Sequence, residues 1–222
     1  MSPTPPVSSD TLKITEIYLS IQGEGTRAGC PCTLVRLTGC DLRCRWCDTE
    51  YAFTGGRRMA IDEVLAEVER LGCSLVEITG GEPLLQPGVH PLMDRLLDEG
   101  HEVLLETGGH RDISDVDDRV VRILDLKAPG SGESELNRWS NLDHLTDRDE
   151  IKVVIADRAD YEWARSIVRR HDLGSKVVVL FSAVHGELAP DSLVEWILAD
   201  RLPVRLQVQL HKVVWGTNAK GV

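Results

Sequence analysis

The stretch GCDLRCRWCDTEYAF, Gly39 to Phe53, places Cys40, Cys44 and Cys47 on one short segment, with Trp46 between the last two. Thiolates are soft ligands that select zinc or the irons of iron–sulfur clusters. A structural zinc site takes four ligands, typically as two separated C-x2-C pairs. Only Cys44 and Cys47 have that spacing, so zinc would have to recruit Cys30 or Cys32. A C-x3-C-x2-C loop instead suits three irons of a [4Fe–4S] cubane. Full ligation takes four cysteines, so three leave one iron open to a ligand from outside the protein.

The rest of the composition fits that reading. Five of the six cysteines crowd between Cys30 and Cys47. The opening MSPTPPVSSD is polar and proline-rich, without the basic and apolar regions of an export signal. It reads as a disordered tail over residues 1–12, ahead of a single domain over 13–222. Without an oxidising destination, clustered cysteines point to metal or redox chemistry rather than disulfides, and to a cytoplasmic protein. The longest apolar run, Val177 to Phe181, is far short of the ~20 residues that span a bilayer. A formal charge of -11 lacks the basic footprint of a nucleic-acid binder. Neither membrane nor nucleic acid is expected as a partner. Cys73, at a helix end before an apolar strand, reads as a buried small hydrophobe. The Cys30-Pro31-Cys32 pair is either structural or a second metal site.

Strand-like and helix-like segments alternate along the chain. LKITEIYLSIQ and CTLVRLTG are rich in β-branched residues and read as strands. Ile61, Val64, Leu65, Val68 and Leu71 then recur at helical spacing, and Gly72 supplies a stop. SLVEIT, EVLLET, RVVRILDLK, EIKVVIA, KVVVLF and VRLQVQL read as further strands. Helices fall around Val89 to Leu97, around Tyr161 to Arg170, and after Pro190. This alternation predicts an α/β fold with a mainly parallel sheet. Several strands end in chemically suggestive residues: Thr79-Gly80-Gly81, Glu106-Thr107, Asp125-Leu126-Lys127 and His211-Lys212. Sites in such folds gather at the carboxyl ends of strands.

The cysteine loop with its aromatic residue, and TGGEP at Thr79 to Pro83, resemble the signature of the radical S-adenosylmethionine (SAM) superfamily. More of the chain, from Ile17 to about Trp215, resembles the 7-carboxy-7-deazaguanine synthase family of queuosine biosynthesis. SIQGEGTRAG, GCDLRCRWCDT, ITGGEP, LLETGG, EIKVVI and LHK carry that likeness, QGEG most of all. The resemblance implies an incomplete TIM-type barrel with outer helices, and a homodimer. It implies a [4Fe–4S] cluster on Cys40, Cys44 and Cys47 whose open iron chelates SAM, and one-electron cleavage to a 5'-deoxyadenosyl radical by an electron donor such as flavodoxin or ferredoxin. The reaction implied is the ring contraction of 6-carboxy-5,6,7,8-tetrahydropterin to 7-carboxy-7-deazaguanine, with loss of ammonia and assistance from Mg2+.

The resemblance also assigns residues. SAM contacts fall on Trp46, Cys47, Asp48, Gly81, Glu106, Asp125, Leu126 and Lys127, and on Phe181, Ser182, Ala183 and Val184 through backbone and small side chains. Other members carry serine-proline-lysine where this chain has Asp125-Leu126-Lys127. The pterin falls to Ile21, Gln22, Gly23, Glu24, Arg36, Thr79 and His211, with Arg36 offering a planar fork to a carboxylate. Some members close the pocket with their terminal carboxylate, which assigns a substrate contact to Val222. Thr49 is the expected Mg2+ ligand, as magnesium prefers hard oxygens. Glu106 and Lys127 are the expected catalytic pair. Two alternatives stay open: a radical SAM activase that installs a glycyl radical on a protein partner, and a zinc-stabilised binding module.

Overall fold

Side chains along the strands alternate between two faces, and both faces of the sheet are buried. In the computed structural model, which describes residues 10–216 and 219–222, nine strands join in the order β3-β1-β2-β4-β5-β6-β7-β8-β9. β1 (Thr11–Ile21) is antiparallel to β2 (Pro31–Leu37) and to β3 (Arg57–Ala60). From β2 onward every pairing is parallel, through β4 (Leu75–Gly80), β5 (Glu102–Thr107), β6 (Val121–Leu126), β7 (Glu150–Ile155), β8 (Val178–Ala183) and β9 (Arg205–Gln207). β3 and β9 are the two edges, so the sheet is open, as expected of an incomplete barrel.

Helices α1 (Ile61–Leu71), α2 (Val89–Asp98), α3 (Arg158–His171), α4 (Leu173–Lys176) and α5 (Pro190–Asp200) cover one face. α1 shows the local logic. Ile61, Val64, Leu65 and Val68 form its buried stripe. Glu63 accepts a hydrogen bond from the Ala60 amide at the start, and Gly72 ends the helix with φ 69, a conformation open to glycine. Pro190 opens α5, where a missing N–H is harmless. On the helix side lie Val35 and Leu37 of β2, Ile78 of β4, Leu105 of β5, Leu124 of β6 and Ile151 of β7. On the opposite, inner face a smaller apolar layer of Cys32, Leu34, Leu75, Leu104, Val121 and Ile123 forms. Beyond that layer the inner face turns polar.

Two sequence expectations change. β1 begins at Thr11, within the expected tail, because Leu12 and Ile14 are buried on the helix side and Leu12 pairs with Met59. The rest of that tail, residues 1–9, lies outside the described residues. The last strand covers only Arg205–Gln207, not all of VRLQVQL. Its partner β8 offers a register only from Leu180 to Ser182. The Leu210 amide then donates to the Gly23 carbonyl (2.9 Å), drawing the chain off the sheet into α6 (Leu210–Trp215). His211 therefore sits on a short helix rather than at a strand end.

One buried charge pair ties β6 to the start of β7. The Arg122 side chain is 2% exposed and that of Asp149 0%, with Nη2 to Oδ2 at 2.8 Å. Asp149 also accepts from the backbone amides of Arg122 and Thr146. Asp149→Ala would strand the guanidinium with only the exposed Asp118 at 3.6 Å. Denaturant unfolding of this variant should show a loss of about 3–5 kcal/mol, whereas Asp118→Ala should lose less than about 1 kcal/mol.

Candidate active site

The cysteine loop leaves β2 and is seated on the end of β4 by backbone alone. The Gly81 amide donates to the Leu37 carbonyl (3.2 Å) and the Glu82 amide to the Gly39 carbonyl (2.8 Å). Gly80 has φ 139, and a Cβ there would lie 2.2 Å from the Leu37 carbonyl oxygen. A Cβ on Gly81 would lie 2.2 Å from the Gly39 oxygen and 2.8 Å from Cβ of Cys40. The two glycines thus let β4 touch the cysteine loop itself, a use beyond the SAM contact that the resemblance assigns to Gly81. Glu82, 1% exposed, accepts hydrogen bonds from Thr107 Oγ1, the Gly108 amide and the Leu84 amide. It fastens TGGEP to the end of β5.

Cys40, Cys44 and Cys47 carry free thiols, are half-buried, and line one cavity of about 890 Å³. Burial raises all three thiol pKa values, so ligation would release protons. Among the described residues no three His, Cys, Asp or Glu side chains converge as a single metal ion requires. Trp46 borders the cavity half-buried, with the Arg45 guanidinium 4.9 Å from its ring centre. It is not a core aromatic.

The inner face below the cysteines is a network of charges. Lys152 Nζ lies 2.9 Å from Glu24 Oε2 and 3.3 Å from Asp125 Oδ2, and donates a hydrogen bond to Glu106 Oε1. Thr79 Oγ1 donates to Glu106 Oε2 (3.2 Å). Burial raises the Glu106 carboxyl pKa, but the Lys152 ammonium outweighs burial and holds it well below the usual carboxylate range. Burial would lower Lys152, but Glu106, Glu24 and Asp125 hold it well above its ordinary value. Glu77 behaves oppositely: burial, and then the Glu106 charge, push it well up. Lys127 Nζ lies 3.1 Å from Asp125 Oδ2. Asp125 Oδ1 is buried and has no partner among the described residues.

The QGEG loop enters from the amino-terminal end of the parallel strands, opposite the cysteines. Gln22 Nε2 donates to Glu77 (2.9 Å), and Gln22 Oε1 accepts from the Glu24 amide (3.2 Å). Glu24 accepts from Gln207 (2.8 Å) and Gln209 (2.7 Å) as well as Lys152. The Gly25 amide reaches Gln207 of β9, and the Thr26 amide reaches Glu150 of β7. A Cβ on Gly23 would lie 2.2 Å from His211 Nδ1. QGEG and LHK, far apart in sequence, are thus in contact. Burial lowers the His211 pKa below its usual value.

Arg36 projects from β2 into the cavity wall with its side chain 13% exposed, not toward solvent. Nε donates to Glu16 (2.8 Å) and Nη2 to the Tyr18 hydroxyl (3.3 Å). Tyr51 shares Glu16 through its own hydroxyl (2.8 Å). Thr49 Oγ1 donates to Asp48 Oδ1 (2.9 Å), and Lys212 Nζ reaches Asp48 Oδ2 (2.7 Å). Burial opposes the Asp48 charge, but Lys212 holds its carboxyl far below the usual range.

Most residues expected in the site border this cavity, from Ile21 to Val222. Some do not. Phe181 is 0% exposed and packs edge-on against Tyr161 in the helix-side core. Leu126 lies in that core as well, and Ala183 packs against it. Ser182 is buried on β8 away from the cavity wall, so Val184 is the one residue of its segment that reaches it. Strand alternation is the reason: neighbours on one strand face opposite ways. Sequence reading missed Glu77, Lys152, Gln207 and Gln209. Glu77 and Lys152 did carry a signal, a charge set inside an otherwise apolar strand.

A family model of the radical SAM superfamily matches residues 34–198. The 7-carboxy-7-deazaguanine synthase of Koribacter versatilis is 51% identical over 226 residues, covering 95% of this chain and 100% of that protein. The synthase of Chlorobaculum tepidum is 48% identical over 214 residues, covering 95% and 97%. QueE from Escherichia coli, known from its crystal structure, shares the fold with a TM-score of 0.73 at 23% identity, over 90% of this chain and 95% of that one. A radical SAM core with its cysteine loop at the carboxyl ends of the strands defines the class. Within that class the chain belongs to the family of 7-carboxy-7-deazaguanine synthases, and the family implies a [4Fe–4S] cluster and SAM.

The residues present fit those groups. Three free thiols border a cavity with room for a nucleoside, and the orphaned Asp125 Oδ1 is a buried acceptor awaiting a donor. Gly81→Ala should displace Cys40 without disturbing the sheet. Iron affinity after anaerobic reconstitution should fall by about 10–100-fold, as when a support behind a metal ligand is lost, with the unfolding midpoint little changed.

Proposed function

We propose that the chain converts 6-carboxy-5,6,7,8-tetrahydropterin into 7-carboxy-7-deazaguanine with release of ammonia. The observation that carries this reading is the floor of the cavity. Glu24, Glu106 and Asp125 are gathered on one lysine, in the cavity that the cysteines also line. Such a floor suits a flat heterocycle rich in N–H donors. A site built of buried acceptors rejects ligands that leave them unpaired.

Bound cluster and SAM supply the one-electron chemistry that removes a hydrogen atom from substrate and returns it. Cys40, Cys44 and Cys47 hold the cluster. Trp46 borders the adenine side, and Asp48, Gly81, Asp125, Lys127 and Val184 contact the rest of SAM. Glu24, Thr79, His211 and the backbone from Ile21 to Gly23 orient the pterin. Arg36, with one nitrogen still without a protein partner among the described residues, receives the substrate carboxylate, and Val222 closes that wall. Thr49 gives its proton to Asp48, so its oxygen lone pairs are free for Mg2+. Glu106 and Lys127 stand nearest the reacting carbon and move its protons. The inner apolar layer excludes water from below. The reading carries with it a flavodoxin- or ferredoxin-type electron donor, a homodimer and action in the cytoplasm. Among the described residues no helix is long and apolar enough to cross a membrane.

Relatives named for synthase activity at about half identity favour this over an activase. Anaerobic incubation with the tetrahydropterin, SAM, Mg2+ and a reductant should yield the deazaguanine acid and ammonia. Cys44→Ser should abolish both products and lower iron from about four per chain. Cleavage of SAM by fully clustered wild type without any deazaguanine product would overturn the assignment.

A further inference from the structure

Lys152 is the most heavily committed side chain of the site. An ammonium has three protons to donate and no acceptor capacity. Its carboxylate neighbours are also three: Glu24, Glu106 and Asp125. Each belongs to a different element, namely the QGEG loop, β5 and β6. The Lys152 side chain is 7% exposed, so water does not replace any of them. Its hydrogen bonds go to Glu24 and Glu106, and Asp125 adds a charge contact at 3.3 Å. All three carboxylates thus take their direction from one ammonium.

Their remaining capacity is informative. A carboxylate offers about four lone-pair positions. Glu24 already accepts from Lys152, Gln207 and Gln209, and Glu106 accepts from Lys152 and Thr79. Asp125 Oδ1 accepts from nothing among the described residues. Each carboxylate thus keeps capacity for a donor in the cavity, while one shared ammonium fixes its direction. Without that ammonium the three carboxylates would repel one another with no shared counter-charge and turn apart. Acceptors that turn apart no longer present one recognising surface.

We propose that Lys152 is the positioning residue that holds Glu24, Glu106 and Asp125 convergent, so that the floor presents acceptor oxygens to N–H and O–H donors of the bound ligands. The inference rests on the ring-contracting reading of the site. It requires that the pterin edge bearing the amino group and lactam N–H face Glu24 and Glu106.

The test compares wild type with Lys152→Met, each reconstituted with its cluster, and with Lys152→Gln should the methionine variant fail to fold. Pterin and SAM binding are measured separately by calorimetry in the absence of reductant. Deamination of the pterin's exocyclic amino group to an oxo group supplies a probe analogue with an acceptor in place of a donor. Wild type should bind the pterin and discriminate against the analogue. In the variants pterin affinity should fall by about tenfold or more, the scale of one charge-assisted hydrogen bond. Discrimination against the analogue should shrink, and iron content should stay unchanged. A merely structural lysine would lower affinity for both compounds equally, and that outcome, or an unchanged preference, would overturn the inference while leaving the proposed reaction standing. Failure of wild type itself to bind the tetrahydropterin would instead overturn the reaction, and the role of Lys152 with it.

Discussion

An open sheet has a gap between its edges, and this molecule bridges that gap with the loop from Gln22 to Thr26. The loop leaves β1 near one side of the sheet and bonds to Gln207 of β9, Glu150 of β7 and the backbone of α6. Only a residue without Cβ fits at position 23, because His211 Nδ1 already occupies that space. The constraint is severe because the inner face carries charge. An inner face open at the gap would hydrate Glu24, Glu106 and Lys152, and their mutual attraction would weaken in the higher dielectric. Closing the gap lets a few charge-assisted hydrogen bonds fix the geometry of a whole floor.

The two ends of the cavity follow different physical rules. At the carboxyl ends of the strands the design is steric: Gly80 and Gly81 permit contact between β4 and the cysteine loop, and Glu82 locks that contact to β5. Below it, along the inner face of β5, β6 and β7, the design is electrostatic, with acceptors gathered on one ammonium. A soft-metal group and a polar heterocycle need different surroundings, and one cavity supplies both because thiols come from the loop after β2 and carboxylates from the inner face of the sheet. The apolar layer of Leu34, Leu75, Leu104 and Ile123 beneath gives both a dry base.

Much of this was legible in the sequence. The helices were marked by periodicity and by punctuation such as Gly72 and Pro190, and the buried strands by apolar runs. The cysteine loop suited a cubane by its spacing, and the resemblance supplied the chemistry. Harder to read was which side of a strand a residue faces when both faces are buried. Asp125 and Lys127 face the cavity, while Leu126 between them serves the core. Phe181 was assigned to SAM by the resemblance, yet it belongs with Tyr161. Lys152 and Glu77 hid inside strands named only for their hydrophobicity. Contacts such as Gly23 with His211 depend on long-range closure, which no local pattern encodes. The last strand was overread for a similar reason: β-branched composition marks extended chain, but pairing with β8 ends at Gln207 and the polar side chains beyond it are claimed by Glu24 and Asp48.

Both ends of the described chain meet at the same wall of the cavity. Glu16 and Tyr18 of β1 hold Arg36, Tyr51 shares Glu16, and Lys220 lies 4.5 Å from the centre of the Tyr51 ring. Val222 borders the cavity beside them. A wall made from the first strand and the final residues does not exist until the sheet between them has formed. Recognition of an anionic group by Arg36 therefore presupposes the whole fold. The same holds for the floor, whose carboxylates come from the QGEG loop, β5 and β6 and whose lysine comes from β7. With so many long-range partners, binding energy gained at either surface stabilises the closed arrangement as a unit. A ligand that satisfies the orphaned acceptor at Asp125 and the spare nitrogen of Arg36 together would tighten the bridge at the open edge as well as fill the cavity.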